Sequence, residues 1–259
     1  MTGRLVTGRL AIVGIGPGAP ELVTPHAAEA LASATDLVGY ALYLARVPEC
    51  AGQRRHASDN REELARAREA LTLAAQGRRV AVVSSGDPGI FAMASAVFEA
   101  IETGKPEWNS IEVSVVPGVS AMLAAAARAG APLGHDFCVI SLSDNLKPWE
   151  LVLKRLEAAA AGDFVIVLYN PASKARPWQL GEALALLARY RENTTPVIFA
   201  RAVTQADERI EITTLGEADP ARADMRTLVI IGSSATRLVK QGSQAPFVYT
   251  PRHAELVDS

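Results

Sequence analysis

Three short loops carry most of the chemistry legible in this sequence. They are Gly14-Ile15-Gly16-Pro17-Gly18-Ala19, Ser84-Ser85-Gly86-Asp87-Pro88-Gly89-Ile90-Phe91 and Val116-Pro117-Gly118-Val119-Ser120-Ala121, and each follows a short apolar run. Small residues there let a ligand approach the backbone closely, and Asp87 adds an acceptor for a cationic or hydroxyl-bearing group. The plainer alternative for the second loop is a tight strand-to-helix turn in which Asp87 caps the helix. Three such loops at the carboxyl ends of strands in one half of the chain nevertheless point to a ligand crevice. The first loop nominally fits the dinucleotide fingerprint G-x-G-x-x-G/A, but the fit is superficial. Pro17 and Pro20 remove two amides, the helix cap comes only at Thr24, and Val38-Gly39-Tyr40 stands where the ribose-binding acid belongs.

The elements that must position these loops alternate along the chain. Strands are expected at Leu10–Gly14, Asp36–Tyr40, Val80–Ser84, Ile111–Val116, Phe137–Leu142, Phe164–Tyr169, Pro196–Ala200 and Thr227–Ile231, with an edge strand at Arg209–Thr214. Helices are expected from Thr24 (cap) and Pro25 to Ser33, and over Arg61–Gln76, Phe91–Thr103, Ser120–Ala129, Trp149–Ala161 and Gly181–Tyr190. This alternation predicts an α/β chain of βαβ units with mainly parallel, mixed sheets. The pattern restarts after the Pro117–Gly134 region, which predicts an N-terminal domain over 1–118, a C-terminal domain over 119–250 and a loose tail over 251–259.

Composition narrows the functional classes. A formal charge of −2 argues against a broad nucleic-acid-binding surface, and 49% hydrophobic with 21% charged residues is ordinary for a globular protein. Cys50 and Cys138 build no zinc spacing or disulfide framework, so no metal site is expected. The N-terminus lacks the apolar core of a signal peptide, and the longest apolar stretches, Ala121–Ala127 and Phe164–Tyr169, are far below the roughly 20 residues a bilayer requires. A cytoplasmic protein with no membrane partner is the expectation.

Taken together, the loops resemble one family, the tetrapyrrole methylases of the cobalamin and siroheme pathways. A proline-bearing loop of the form G-x-G-P-G-x-P-E-L-x-T runs from Gly14 to Thr24, a G-D-P loop from Gly86 to Pro88, and a P-G-V-S-A turn from Pro117 to Ala121. Later segments are similar to one branch of that family: Leu133-Gly134-His135-Asp136-Phe137, Ile140 to Asp144, Lys147-Pro148-Trp149-Glu150, Tyr169-Asn170-Pro171 and Arg176-Pro177-Trp178-Gln179. That branch methylates C-17 of the macrocycle and contracts the ring, on a metal-free substrate in one pathway and a cobalt-bearing one in the other. The resemblance implies a homodimer in which S-adenosylmethionine lies folded between two domains. Its implied contacts are Pro17, Ser85, Gly86, Asp87, Ile90, Phe91, Ser120, Ala121, Asn170 and Ala202. One departure matters: the pathway-entry enzymes carry an aspartate after the tyrosine matching Tyr40, and here that position is Ala41.

Methyl transfer from a sulfonium is an in-line displacement, helped mainly by alignment and exclusion of water. Ring contraction asks for more, because a hydroxyl at the bridging carbon must lose a proton while carbon migrates, so a base or a hydrogen-bonded tyrosine is needed. Tyr40, Asp144 and Lys147 are the expected catalytic residues. Tyr43, Arg54, Arg55, His135 and Arg176 are the expected contacts to a substrate rich in carboxylates, drawn from a wider set that includes Arg46, Lys174 and Arg201. Each has a structural alternative: Tyr40 can finish a strand, His135-Asp136 can be a linking turn, and Asp144 can cap a turn. Other activities to weigh are methylation at another macrocycle position, methylation of RNA or a translation factor, and a non-catalytic sensor of S-adenosylmethionine or a nucleotide. The charge and the tryptophan motifs disfavour the second, and the third predicts binding without turnover.

Overall fold

The computed structural model describes residues 8–59, 62–242 and 245–253. Residues 254–259 of the expected tail and Arg61 of the expected second helix lie outside them. The chain divides into two compact units, 1–120 and 121–259.

The first unit contains β1 (Arg9–Gly14), α1 (Pro25–Ser33), β2 (Asp36–Tyr40), α2 (Ala41–Leu44), β3 (Arg54–Ser58), α3 (Glu63–Ala75), β4 (Arg79–Ser84), α4 (Met93–Glu102) and β5 (Glu112–Val116). Its five strands run parallel in the order β3-β2-β4-β1-β5. Both faces are covered, so the interiors of the central strands, residues 10–13 and 80–83, are apolar throughout rather than alternately. Leu10, Ile12, Val80 and Val82 pack against Ala67, Leu71 and Ala74 of α3 and Val97 of α4. The intervening residues Val13, Ala81 and Val83 pack on the other face against Ala27 and Leu31 of α1.

The second unit contains α5 (Ala121–Ala129), β6 (Gly130–Ala131), β7 (Phe137–Ser141), α6 (Trp149–Ala161), β8 (Val165–Tyr169), α7 (Gln179–Leu187), β9 (Pro196–Arg201), β10 (Arg209–Thr214), β11 (Thr227–Ile231), β12 (Arg237–Val239) and β13 (Phe247–Tyr249). Its main sheet has the order β10-β9-β11-β8-β7, and a small sheet joins β12, β13 and β6. The α/β class holds, but here the alternation overstated the parallel character. Within the main sheet β7 and β8 pair in parallel, while β8–β11, β11–β9 and β9–β10 are antiparallel; in the small sheet β13 and β6 are parallel. The cause is local: no α-helix separates β9 from β10 or β10 from β11, so each connection reverses direction without a helical crossover. Leu156 of α6 and Leu180, Leu184 and Leu187 of α7 cover one face of this sheet through Ile166, Leu168, Val197, Phe199 and Val229.

β3 was not expected as a strand. Arg54-Arg55-His56-Ala57-Ser58 lacks apolar alternation, and it forms because an edge strand needs only one partner, β2. A buried polar cluster ties that edge. Asp36 has no exposed surface and accepts from Arg78 Nε at 2.5 Å, from Thr35 Oγ at 2.7 Å, and pairs with His56 Nε2 at 2.9 Å. Burial alone would push its carboxyl up, but these hydrogen bonds and the Arg78 charge hold it below the usual carboxylate value. The stability it contributes is therefore complete above the unfolded-state pKa and is lost as pH falls through the folded one. Asp36→Asn should destabilise the protein by about 3 kcal/mol near neutral pH, the scale seen when one partner of a buried pair is removed. The deficit should shrink below pH 4; a thermal midpoint whose gap to wild type is the same at pH 7 and pH 3.5 would contradict this account.

Candidate active site

The first-unit site is built on three adjacent strand ends. β4, β1 and β5 are neighbours in register, Gly14 opposite Ser84 and Val13 opposite Val116, so the three glycine-rich loops leave the same edge of the sheet. The loops then meet through their main chains. Gly16 N donates to Gly86 O at 3.3 Å and Gly86 N returns a bond to Gly16 O at 2.9 Å. A Cβ at Gly118 would lie 2.2 Å from the Gly86 oxygen, and one at Gly14 would lie 2.6 Å from that oxygen and 2.8 Å from Gly118 N. No side chain fits at either position.

Two side chains lock this arrangement. Asp87 accepts from Gly89 N at 2.8 Å with one oxygen and from Gly118 N at 3.2 Å with the other, joining the second loop to the third turn. Arg46 donates to Ile15 O and Gly16 O, both at 2.9 Å, to Gly18 O at 3.4 Å and to Ser85 Oγ at 3.3 Å. Burial lowers the Arg46 pKa, with Tyr43 acting in the opposite sense. Arg46 belonged to the pool expected to meet substrate carboxylates; its donors serve the loop instead. Only its place three residues after Tyr43 hinted at this task. Pro20–Leu22 forms a 3-10 turn and α1 begins at Pro25, capped by Thr24, whose Oγ accepts from Ala27 N at 3.1 Å. No helix terminus therefore lies within the glycines, which removes the dinucleotide geometry.

Pro17, Ser85, Gly86, Asp87 and Ser120 thus belong to loops that are fastened together, and Pro17 and Ser120 are buried. Phe91 is 52% exposed with φ at 50°, in the left-handed region that residues with a side chain rarely adopt. Tyr40 ends β2 at the same sheet edge and stacks edge-on against Tyr43 of α2, ring centroids 5.2 Å apart. Burial first and Tyr40 second raise the Tyr43 pKa, so its hydroxyl stays protonated and is a hydrogen-bond donor rather than a base.

The two neighbouring arginines fall elsewhere. Arg54 starts β3 opposite Asp36, at the amino end of the strands and away from the loop-bearing edge. Arg55 gives its guanidinium to Leu44 O, Val47 O and Pro48 O at 2.7–2.9 Å, closing the segment after α2. The Arg55 guanidinium is thus held by main-chain carbonyls, while the exposed Arg54 is placed by strand pairing alone.

In the second unit, the segments after β7 and β8 bring Ser141, Asp144, Asn170, Arg176 and Gln179 together. Asn170 (φ 52°) donates to Ser141 Oγ at 3.0 Å, and its carbonyl accepts from Arg176 at 3.3 Å. Arg176 Nε lies 3.8 Å from the Asp144 carboxylate, which also accepts from Gln179 Nε2 at 3.2 Å. Gln179 is 1% exposed and was not anticipated; nothing in its spacing marks it. Lys147 is half-buried, and burial, followed by the like charge of Arg155, lowers its pKa. His135 precedes β7 and so stands at the other end of that strand from Asp144. Its Nδ1 accepts from Asp136 N at 2.7 Å, a bond within the turn that leads into β7. Ala202 (φ 50°) is 2% exposed and gives its amide to Arg226 O at 2.9 Å. No metal-ligating cluster occurs among the described residues.

Known proteins match this chain along most of its length. A family model for tetrapyrrole (corrin/porphyrin) methylases matches residues 9–219. A protein from Sinorhizobium sp named precorrin-3B C(17)-methyltransferase is 60% identical over 247 residues, covering 95% of this chain and 97% of that one. The cobalamin biosynthesis protein CobIJ of Mycobacterium bovis is 51% identical over 252 residues, 96% of this chain and 49% of that longer protein. A crystal structure of the methyltransferase CobJ superposes with a TM-score of 0.90 at 54% identity, over 94% of this chain and all of the other.

Arg46→Ala should loosen the first and second loops together. With charged hydrogen bonds contributing roughly 1.5–3 kcal/mol each in mutational series, a net loss of about 2 kcal/mol is expected. That corresponds to a fall of roughly 4–8 °C in thermal midpoint for a chain of this size. Arg46→Lys should recover little, since one ammonium cannot reach three carbonyls and a hydroxyl; recovery of the wild-type midpoint by lysine would refute the forked-donor account.

Proposed function

The chain belongs to the tetrapyrrole methylases, and on that premise we propose that it transfers the methyl group of S-adenosylmethionine to C-17 of precorrin-3B, with ring contraction, to give precorrin-4. The observation that carries this reading is the identity to the Sinorhizobium relative along nearly the whole of both chains.

The loops suit the cofactor. Gly86 adopts φ 65° with no side chain to intrude, Ser85 has its hydroxyl oriented by Arg46, and Gly89 has only the Asp87 carboxylate near its Cβ direction. Pro17, Ser85, Gly86, Asp87, Ile90, Phe91 and Ser120 are the proposed contacts from the first unit, and Ala121, Asn170 and Ala202 those from the second. When bound, S-adenosylmethionine supplies an electrophilic methyl on sulfur. The chain's own work is to align the acceptor carbon, exclude water and manage one proton.

For that proton, Asp144 is the proposed base, steadied by Gln179 and kept facing Arg176. Lys147 is the proposed proton relay, and Tyr40 and Tyr43 are proposed to offer hydroxyls to the macrocycle. Ala41 stands in place of the aspartate of the pathway-entry enzymes, so that position itself supplies no carboxylate. The enzyme is proposed to act as a homodimer in the cytoplasm. Among the described residues no helix is long and apolar enough to cross a membrane.

Incubation with S-adenosylmethionine and precorrin-3B without oxygen should add one methyl mass and change the pigment spectrum. An unchanged pigment, with turnover of the cobalt-bearing substrate instead, would replace the metal-free assignment. A lysine with a lowered pKa keeps its charge only up to that value, so kcat/KM should decline on the alkaline side at a lower pH than a free lysine would dictate. Lys147→Gln should reduce kcat/KM roughly a hundredfold and abolish that alkaline limb; an unaltered pH profile would remove Lys147 from the chemistry.

A further inference from the structure

We propose that Trp178 is the platform on which the macrocycle rests, with the 170–179 segment supplying polar contacts beside it; this builds on the tetrapyrrole reading above. Trp178 is 48% exposed, yet it is held in place. Its ring meets that of Trp149 edge-on, centroids 5.2 Å apart and planes at 82°. The Trp149 indole nitrogen in turn donates to Glu182 Oε2 of α7 at 2.8 Å. Trp178 itself caps α7, directly before the buried Gln179. A large apolar face kept in water by a braced pair is poised to bind, since little side-chain freedom is left to lose when a ligand covers it.

Two polar atoms of the same segment are unfinished. Ser173 Oγ and Gln179 Oε1 are buried without a hydrogen-bond partner, a condition that native proteins rarely leave unless a ligand or water completes it. Two cationic residues lie close by in sequence: Arg176, two residues before Trp178, which faces Asp144 at 3.8 Å, and Lys147, two residues before Trp149. An aromatic face, guanidinium and ammonium donors and unsatisfied polar atoms together suit a flat conjugated ring with carboxylates on its rim. A purely aliphatic ligand would leave the orphaned atoms without partners. A small phosphate-bearing ligand would leave the indole uncovered.

The test uses the full-length protein. Precorrin-3B is titrated without oxygen and followed by its absorption band, while S-adenosylhomocysteine binding is measured by calorimetry. Trp178→Ala should weaken precorrin-3B binding about tenfold and raise its KM more than it lowers kcat, with S-adenosylhomocysteine affinity unchanged. Trp178→Phe, which keeps a ring and guards against a folding artefact, should fall between wild type and the alanine variant. Equal precorrin-3B affinity in all three proteins overturns the platform while leaving the proposed reaction intact. A loss confined to S-adenosylhomocysteine also overturns it, by giving the indole to the cofactor. Failure of wild type itself to bind precorrin-3B rejects the reaction and the platform together.

Discussion

Three glycines in main-chain contact set the geometry of the first unit's site. Gly14, Gly86 and Gly118 stand at the ends of three neighbouring parallel strands, and their backbones approach more closely than any Cβ would permit. Everything else at that edge follows from the approach. Asp87 can reach Gly118 N because the turns are already side by side. One guanidinium can serve Ile15, Gly16, Gly18 and Ser85 because their oxygens converge on one point. Arg46 then offsets part of its own desolvation through charge-assisted bonds that water would otherwise provide.

The second unit reaches a comparable result by different means. Its strands are mostly antiparallel, so adjacent strand ends do not all carry loops to one edge. Its polar side-chain cluster gathers where the sheet is still parallel, at β7 and β8, and side chains rather than glycines join the loops. Asn170 bridges to Ser141, Arg176 closes back on Asn170, and Gln179 fixes the Asp144 carboxylate. Left-handed backbone occurs at Asn170 after β8 and at Ala202 and Thr204 after β9, as expected where surrounding contacts overdetermine a turn.

Much of this was legible in the sequence, and the parts that were not share a cause. The Thr24 cap, the Pro25 helix start and the apolar runs of β1, β2, β4, β8, β9 and β11 are local signals, written in residues adjacent in sequence. The glycine loops were recognisable because glycine and proline restrict or free the backbone wherever they occur. The strand at Arg54–Ser58 was missed because its stability comes from β2, distant in sequence and decisive in pairing. The same holds for side chains. Arg46, Arg54 and Arg55 looked alike as exposed cations, and only tertiary contacts distinguish a loop fastener from an edge residue and from a carbonyl clamp. Likewise, His135 and Asp144 flank one strand, and the strand's length separates them.

Fastening loops through main-chain atoms has an evolutionary corollary. The joint at Gly14, Gly86 and Gly118 is made by main-chain atoms, so it makes few demands on the side chain at Val119. Residues on the outward side of the loops can therefore drift, or be randomised in a library, without undoing the geometry that places them. Such separation lets one architecture accept new macrocycle positions by changing the lining while the joint stays the same.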